Sequence, residues 1–159
     1  MKIALAFCAL IALASVAQAQ TSIDLGGMTA DPTAPLEVSA DSLTVDQDTG
    51  SATFSGNVVI GQGDLRISAG AVDVVYASET GDIARLRASG GVTFVTATEA
   101  AEAAEATYDL TTGTLILQGD VLLTQGPSAL SADRMEIDLN RGTAQMTGRV
   151  RTVFAQGGN

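Results

Sequence analysis

The side chains that could do chemistry in this chain are almost all carboxylates. The sequence has 18 Asp and Glu residues, no His and one Cys, which removes the commonest general bases, metal ligands and thiol nucleophiles. It also has no nucleophile-elbow or phosphate-loop pattern. Paired carboxylates could serve an exported hydrolase, but no inward-facing pair is obvious. We therefore expect a protein that is not an enzyme and uses no cofactor.

One acidic segment, Asp46-Gln-Asp48-Thr-Gly50, begins like a calcium-binding loop. The twelfth position of such a loop needs a bidentate Glu, and Asn57 stands there. An Asp-rich hairpin turn explains the segment better, so no metal site is predicted.

A repeated phrase organises the chain: a Gly, five residues, a second Gly, any residue, then Val. It runs from Gly50 to Val58, Gly113 to Val121 and Gly142 to Val150, with a stretched copy between residues 81 and 92. Recurrence at roughly 30 residues indicates a small unit stacked several times, burying its apolar face against its neighbours.

Each first glycine closes a predicted turn. The residues five and four positions before it are Val45–Asp46, Tyr76–Ala77, Tyr108–Asp109 and Ile137–Asp138. An apolar strand residue, usually followed by Asp and a short polar stretch ending in Gly, predicts a tight reversal between antiparallel strands. Each unit should therefore be a strand, a turn and a strand.

Apolar and polar residues alternate around the second glycines. Ala52, Phe54 and Val58 should lie on one face, and Thr53 and Ser55 on the other, which is typical of half-buried strands. The second glycine falls on the inner row, where a missing side chain permits a bend or bulge. We interpret it as a corner that curls the sheet.

One segment favours two structures. Residues 99–105 are rich in Ala and Glu, and their local propensity favours a short helix. The repeat instead places Ala103 to Leu110 on a strand that leads to Gly113. We follow the repeat, because a short isolated helix is marginal in water.

The N-terminus is typical of an export signal. Lys2 precedes an apolar run over residues 3–14 that is short for a membrane span, and Ala17-Gln18-Ala19 matches a cleavage site. We expect cleavage after Ala19, so that Gln20 begins the exported chain; a retained anchor is the alternative. The expected divisions are a signal peptide at 1–19, a flexible leader at 20–34, one β-domain at 35–155 and a short tail at 156–159.

The net charge of −10 argues against nucleic acid as a partner, because binding it requires a basic surface. Four of the cations gather near the C-terminus: Arg134, Arg141, Arg149 and Arg151. They could contact an anionic partner or a lipid phosphate. Ion pairs with the chain's own acids are the commoner role for such residues.

Two segments carry a family resemblance: Pro35-Leu-Glu-Val38-Ser-Ala-Asp41 and Phe54-Ser-Gly56-Asn-Val-Val-Ile60-Gly-Gln-Gly63-Asp-Leu-Arg-Ile67-Ser-Ala69. With the later Gly-x-Val turns they resemble the LptA, or OstA-like, family over nearly the whole chain from Pro35 to Phe154. The resemblance implies an all-β fold, an open twisted β-jellyroll of stacked antiparallel strands. It also implies a periplasmic bridge that carries lipopolysaccharide (LPS) to the outer membrane of a Gram-negative cell, between LptC-like inner-membrane and LptD-like outer-membrane components.

The resemblance further implies an apolar trough that binds the acyl chains of lipid A. Positions similar to lipid-contacting positions of the family are Leu36, Val38, Phe94, Tyr108 and Leu110. Inward alternation alone adds Phe54, Val58, Ile67, Leu117, Val121, Met135 and Ile137. Ordinary core packing is the alternative role for each of them.

An open jellyroll leaves strand edges at both ends, and these could pair with neighbouring molecules by strand addition, head to tail. The predicted assembly edges are Leu36, Glu37, Val38, Ser39 and Ala40 at one end, and Arg149, Val150, Arg151, Thr152, Val153 and Phe154 at the other. Two further readings stay open: a structural or adhesive repeat protein with a filled interior, and an LptC-like component that keeps its N-terminal anchor.

Overall fold

The computed structural model describes residues 22–24, 31 and 33–154. The expected signal peptide, most of the expected leader and the tail at 156–159 lie outside these residues. All regular structure in the described ranges is β-strand. No helix within them is long and apolar enough to cross a membrane.

Thirteen strands make up the described chain. They are β1 (Ser22–Asp24), β2 (Glu37–Ser39), β3 (Ser42–Asp46), β4 (Ser51–Gln62), β5 (Leu65–Tyr76), β6 (Ile83–Ser89), β7 (Val92–Val95), β8 (Glu99–Ala103), β9 (Glu105–Asp109), β10 (Thr114–Gln125), β11 (Ser128–Asp138), β12 (Thr143–Thr147) and β13 (Arg151–Val153). Every pairing between them is antiparallel, which confirms the all-β jellyroll expected from the alternation and the resemblance.

The strands form two layers that share their longest members. Layer A runs β3, β4, β5, β6, β9, β10, β11, β12 and β1; layer B runs β2, β4, β5, β7, β8, β10, β11 and β13. The four long strands contribute one half to each layer: in β4, residues 51–55 pair with β3, whereas residues 59–61 pair with β2. The long strands therefore bend from one layer into the other.

The bends occur at the second glycines of the repeated phrase. The register of β4 against β5 shifts between Ser55 and Val58, and that of β10 against β11 shifts between Gln118 and Val121. Gly56 and Gly119 adopt φ values of 79° and 83°, a backbone conformation that glycine adopts at no steric cost. The predicted corner is confirmed as a β-bulge.

The turns at the first glycines are also confirmed. Oδ1 of Asp46 accepts hydrogen bonds from the backbone N–H groups of Asp48 (2.9 Å) and Thr49 (3.1 Å). Asp109 and Asp138 accept the same two bonds in their turns. These bonds lower the pKa of Asp46, the one from Thr49 most. The Asp-rich segment is a hairpin turn.

The chain contains two copies of a larger unit than the repeated phrase. The strands β4 and β10 begin 63 residues apart, as do β5 and β11, and β3 and β9. The pairings repeat with the same offset: β2, β3 and β5 flank β4 as β8, β9 and β11 flank β10. The copies join where β6 pairs with β9 and β7 pairs with β8. We call this seam the internal junction.

The segment with the competing helical propensity is extended. Residues 99–103 form β8 and residues 105–109 form β9, separated by Ala104. The backbone N–H of Ala104 donates to the carbonyl of Gly119 at 2.9 Å. Pairing of β8 and β9 with β7, β6 and β10 overrides the local preference for helix.

Candidate lipid-binding interior and assembly edges

The inner faces of both layers form one apolar cluster. Of the residues predicted to contact lipid, eight are buried in it: Val58, Ile67, Phe94, Tyr108, Leu117, Val121, Met135 and Ile137. Phe94, Leu117, Val121, Met135 and Ile137 have no exposed surface at all. These side chains are therefore the packed core of the domain.

The other four predicted lipid contacts are half-buried. Leu36, Val38, Phe54 and Leu110 pack against the cluster without being enclosed by it. The first three lie at the N-terminal end of the sheet: Leu36 and Val38 at β2, and Phe54 in the half of β4 that pairs with β3. Leu110 follows β9, next to its turn. Access to the interior is therefore greatest at the N-terminal end and beside this turn.

A hydrogen bond crosses between the layers on the side away from the corner. The hydroxyl of Tyr108, at the end of β9 in layer A, donates to Oε1 of Gln62, at the end of β4 in layer B, at 3.1 Å. Nε2 of Gln62 donates in turn to the carbonyl of Ala34 at 3.3 Å. Burial raises the pKa of the Tyr108 phenol. This side chain therefore donates as a neutral hydroxyl.

A second buried polar group lies at the end of layer B. Glu99 is 5% exposed and accepts a 2.8 Å hydrogen bond from the hydroxyl of Thr96 and another from the hydroxyl of Thr98. Nε2 of Gln125 donates to its other carboxyl oxygen at 3.4 Å. These bonds compensate the carboxyl group for the loss of water. They also close the turn between β7 and β8.

Apolar side chains are exposed along the N-terminal edge. Leu43 and Val45, on β3, are 53% and 61% exposed. The repeat places them at the positions of Ala106 and Tyr108 in β9, which are 5% and 6% exposed because β6 covers them. The same positions are thus covered at the internal junction and uncovered at the end of the sheet.

The C-terminal edge shows the same contrast. The strand β13 pairs with β11 as β7 pairs with β5, which places Val150 at the position of Val92. Val150 is 50% exposed, whereas Val92 is 2% exposed beneath β8. Phe154, just beyond β13, is 74% exposed. The predicted edge residues at the C-terminal end therefore include exposed apolar side chains. At the N-terminal end the exposed apolar residues lie on β3, outside the predicted edge residues 36–40, and Leu36, Val38 and Ala40 are half-buried.

Three cations of the C-terminal cluster pair with the chain's own acids. Arg134 contacts Glu136 at 3.1 Å, and Arg141 contacts Asp138 at 3.7 Å. Nε of Arg149 donates to Asp133 at 2.8 Å. This bond lowers the pKa of Asp133. These three ion pairs favour a role for the arginines within the chain over a contact with phosphate.

Sequence reasoning did not find Gln62, Glu99 or β1 as elements of the site. The spacing of 63 residues carries a signal for the first of them, because Gln62 and Gln125 occupy equivalent positions before Gly63 and Gly126. The strand β1 lies inside the segment expected to be a flexible leader. It pairs with β12 through Ser22, Ile23 and Asp24.

The bent antiparallel layers and their shared apolar interior define an open β-jellyroll protein. Residues 37–143 match the family described as LptA/(LptD N-terminal domain) LPS transport protein. This match spans more than half of the chain, which therefore belongs to that family of transport proteins.

Two individual proteins are similar to this chain. An uncharacterized protein of Rhizobium meliloti (strain 1021) is 29% identical over 145 residues, which cover 86% of this chain and 77% of that protein. The crystal structure of LptH from Pseudomonas aeruginosa matches with a TM-score of 0.72 and 17% identity, over 80% of this chain and 99% of that one. LptH is described as the LptA-homologous periplasmic component of the lipopolysaccharide transport device. At this identity, the likeness shows a shared fold.

Proposed function

We propose that this chain is a periplasmic LPS-binding bridge that passes LPS from the inner to the outer membrane, with the acyl chains held between layers A and B. The supporting observation is that every residue predicted to contact lipid lies in, or packs against, one apolar cluster that spans both units. Each methylene group moved from water into such an interior gains about 0.8 kcal/mol. Acyl chains can therefore be held without any catalytic group.

Lipid enters by separation of the two layers. The interior is packed, so acyl chains must displace contacts between the inner faces. At the corner the layers are continuous through the long strands, whereas on the opposite side the bond between Tyr108 and Gln62 crosses between them. The layers therefore part on the side of Tyr108, beginning near the half-buried Leu36 and Val38, which lie beside the Gln62 end of β4.

Bridge assembly repeats the internal junction between molecules. At the C-terminal edge, β12 corresponds to β6 and β13 corresponds to β7. At the N-terminal edge, β3 corresponds to β9 and β2 corresponds to β8. The C-terminal edge of one copy can therefore pair with the N-terminal edge of the next, as β6 pairs with β9 and β7 with β8. In this register Thr152 lies opposite Val38, and Ala144 lies opposite Val45, of the following copy. Such a head-to-tail contact does not close on itself and produces rods. LptC-like and LptD-like partners would occupy the two free ends.

In vivo photo-crosslinking tests lipid binding. A photoreactive amino acid replaces Val38, which is half-buried against the core, and in a matched variant replaces Val59, which is 38% exposed on the outer face of β4. Leu110 provides a second test position. We expect adducts with LPS at Val38 and Leu110 and none at Val59. Equal labelling at all three sites, or none at any, would contradict a lipid-binding interior.

N-terminal sequencing tests whether the chain is exported and cleaved. The N-terminal sequence of the protein purified from periplasm should begin at Gln20. Recovery of the uncleaved chain in the inner membrane would instead support the LptC-like, anchored alternative.

A further inference from the structure

The strand β1 occupies the edge that the proposed assembly needs. It pairs with β12 in the register Ser22 to Gln145, Ile23 to Ala144 and Asp24 to Thr143. Layer A would otherwise end at β12, the counterpart of β6. Since β6 pairs with β9 at the internal junction, β1 takes the place that β9 takes there.

The registers can be compared residue by residue. Leu86 of β6 lies opposite Val74 of β5, and Ala144 of β12 lies opposite Ile137 of β11. Val74 and Ile137 are 63 residues apart, so Leu86 and Ala144 are equivalent. Leu86 pairs with Tyr108 and Ala144 pairs with Ile23. Ile23 therefore holds the register position of Tyr108.

The three residues of β1 also share a residue pattern with the strand whose place they take. A hydroxyl residue, an apolar residue and an Asp occur in the same order at Ser22-Ile23-Asp24, at Thr44-Val45-Asp46 in β3 and at Thr107-Tyr108-Asp109 in β9. In all three the apolar residue is at the equivalent register position. Register and residue pattern thus agree independently.

We propose that β1 is a stand-in for β3 of a second copy: it covers the β12 edge of the free molecule and leaves when the next copy docks. The inference rests on the proposed head-to-tail assembly and adds a step that regulates it. A covered edge is protected from indiscriminate strand pairing. The exchange favours docking, because β1 offers three residue pairs whereas the internal junction has four between β6 and β9 and four more between β7 and β8.

Two variants of the full chain test this step, each exported through its own N-terminal segment and purified from periplasm. In the first, a disulfide between Ile23→Cys and Ala144→Cys fixes β1 on β12; directly opposed residues of antiparallel strands lie within reach of this bond. The other Cys of the sequence, Cys8, lies in the segment that should be removed on export. In the second, Ile23→Pro removes a backbone donor and weakens the pairing of β1. Self-association is measured by analytical ultracentrifugation.

We expect the oxidised disulfide to raise the apparent Kd of self-association about tenfold or more, since it removes the competent state, and Ile23→Pro to lower it. Reduction should restore the wild-type Kd. A disulfide between Thr53→Cys and Asp73→Cys, opposite each other on β4 and β5, leaves the edge free and should have no effect.

The outcomes separate this inference from the function on which it rests. Self-association that is unchanged by the oxidised disulfide and by Ile23→Pro would overturn the stand-in role and leave the bridge intact. A chain that stays monomeric even as Ile23→Pro would overturn both the stand-in role and the head-to-tail assembly, while crosslinking to LPS at Val38 would still report lipid binding.

Discussion

The Tyr108 hydroxyl donates a hydrogen bond to Oε1 of Gln62, and through it the second unit of the sheet is tied to the first across the two layers. Both side chains are buried. Tyr108→Phe keeps the ring but leaves the amide oxygen without this donor, so we expect the free energy of unfolding to fall by about 1–2 kcal/mol. Urea denaturation measures it. Tyr76→Phe, at a tyrosine 39% exposed, is the matched control, and equal losses would contradict the role of the bond.

The same variant tests how lipid enters. If the layers part on the side of Tyr108, removing this bond should speed the uptake of a fluorescent fatty acid. Stopped-flow mixing should show a faster loading rate for Tyr108→Phe than for wild type, with Tyr76→Phe unchanged. An unaltered rate in all three proteins would contradict entry by separation of the layers on the side of Tyr108.

Two glycines with positive φ, Gly119 at the corner and Gly126 in a turn, separate the effect of close packing from that of backbone conformation. A Cβ at Gly119 would lie 2.8 Å from Cβ of Ala104, whereas one at Gly126 would meet nothing within 4 Å, and both glycines have positive φ. Gly126→Ala should cost about 1 kcal/mol for the left-handed conformation alone. Gly119→Ala should cost at least about 1 kcal/mol more, because the chain around Ala104 must move. Thermal unfolding compares them, and equal losses would show that the corner tolerates the added methyl group.

The strands, turns and corners could be predicted because each is encoded locally. The Asp of a turn bonds to N–H groups two and three residues away, and alternation assigns a residue to the inner or outer row. Alternation does not say whether a neighbouring strand covers that row. Val92 and Val150 have equivalent positions, yet their exposures are 2% and 50% because β8 covers only the first. The bond between Tyr108 and Gln62 and the place of β1 likewise depend on pairing between distant segments.

Acid should destabilise the fold through its hydrogen-bonded carboxylates. For Asp109 partial burial would raise the pKa, but the hydrogen bond from Arg85 at 3.0 Å and those from Thr112 and Thr111 outweigh it and lower the pKa. A pKa that is lower in the folded state gives stability that is present above the unfolded value, near 4, and lost as pH falls below it. With no His in the chain, imidazole makes no contribution between pH 5 and 8.

Urea midpoints at pH 7, 5 and 3 measure this effect. The midpoint should change little from pH 7 to 5 and fall steeply towards pH 3, less so in Asp109→Asn than in wild type. Asp82→Asn, at an exposed acid in the preceding turn, controls for the loss of one charge. A midpoint in Asp109→Asn that falls as far as in wild type would show that this carboxyl group does not contribute.

The two ends of the sheet should be complementary surfaces, and charge placed on one end at a time tests this. Leu43→Asp alters the N-terminal edge and Val150→Asp the C-terminal edge; both side chains are already about half exposed or more, so neither change should disturb the fold. Each variant alone should be monomeric, because a buried unpaired carboxylate opposes docking. An equimolar mixture should form dimers and stop there, since each keeps one intact edge. Sedimentation velocity measures the size of the species in each sample. A mixture that stays monomeric would contradict head-to-tail pairing. Variants that associate on their own would place the contact on another surface.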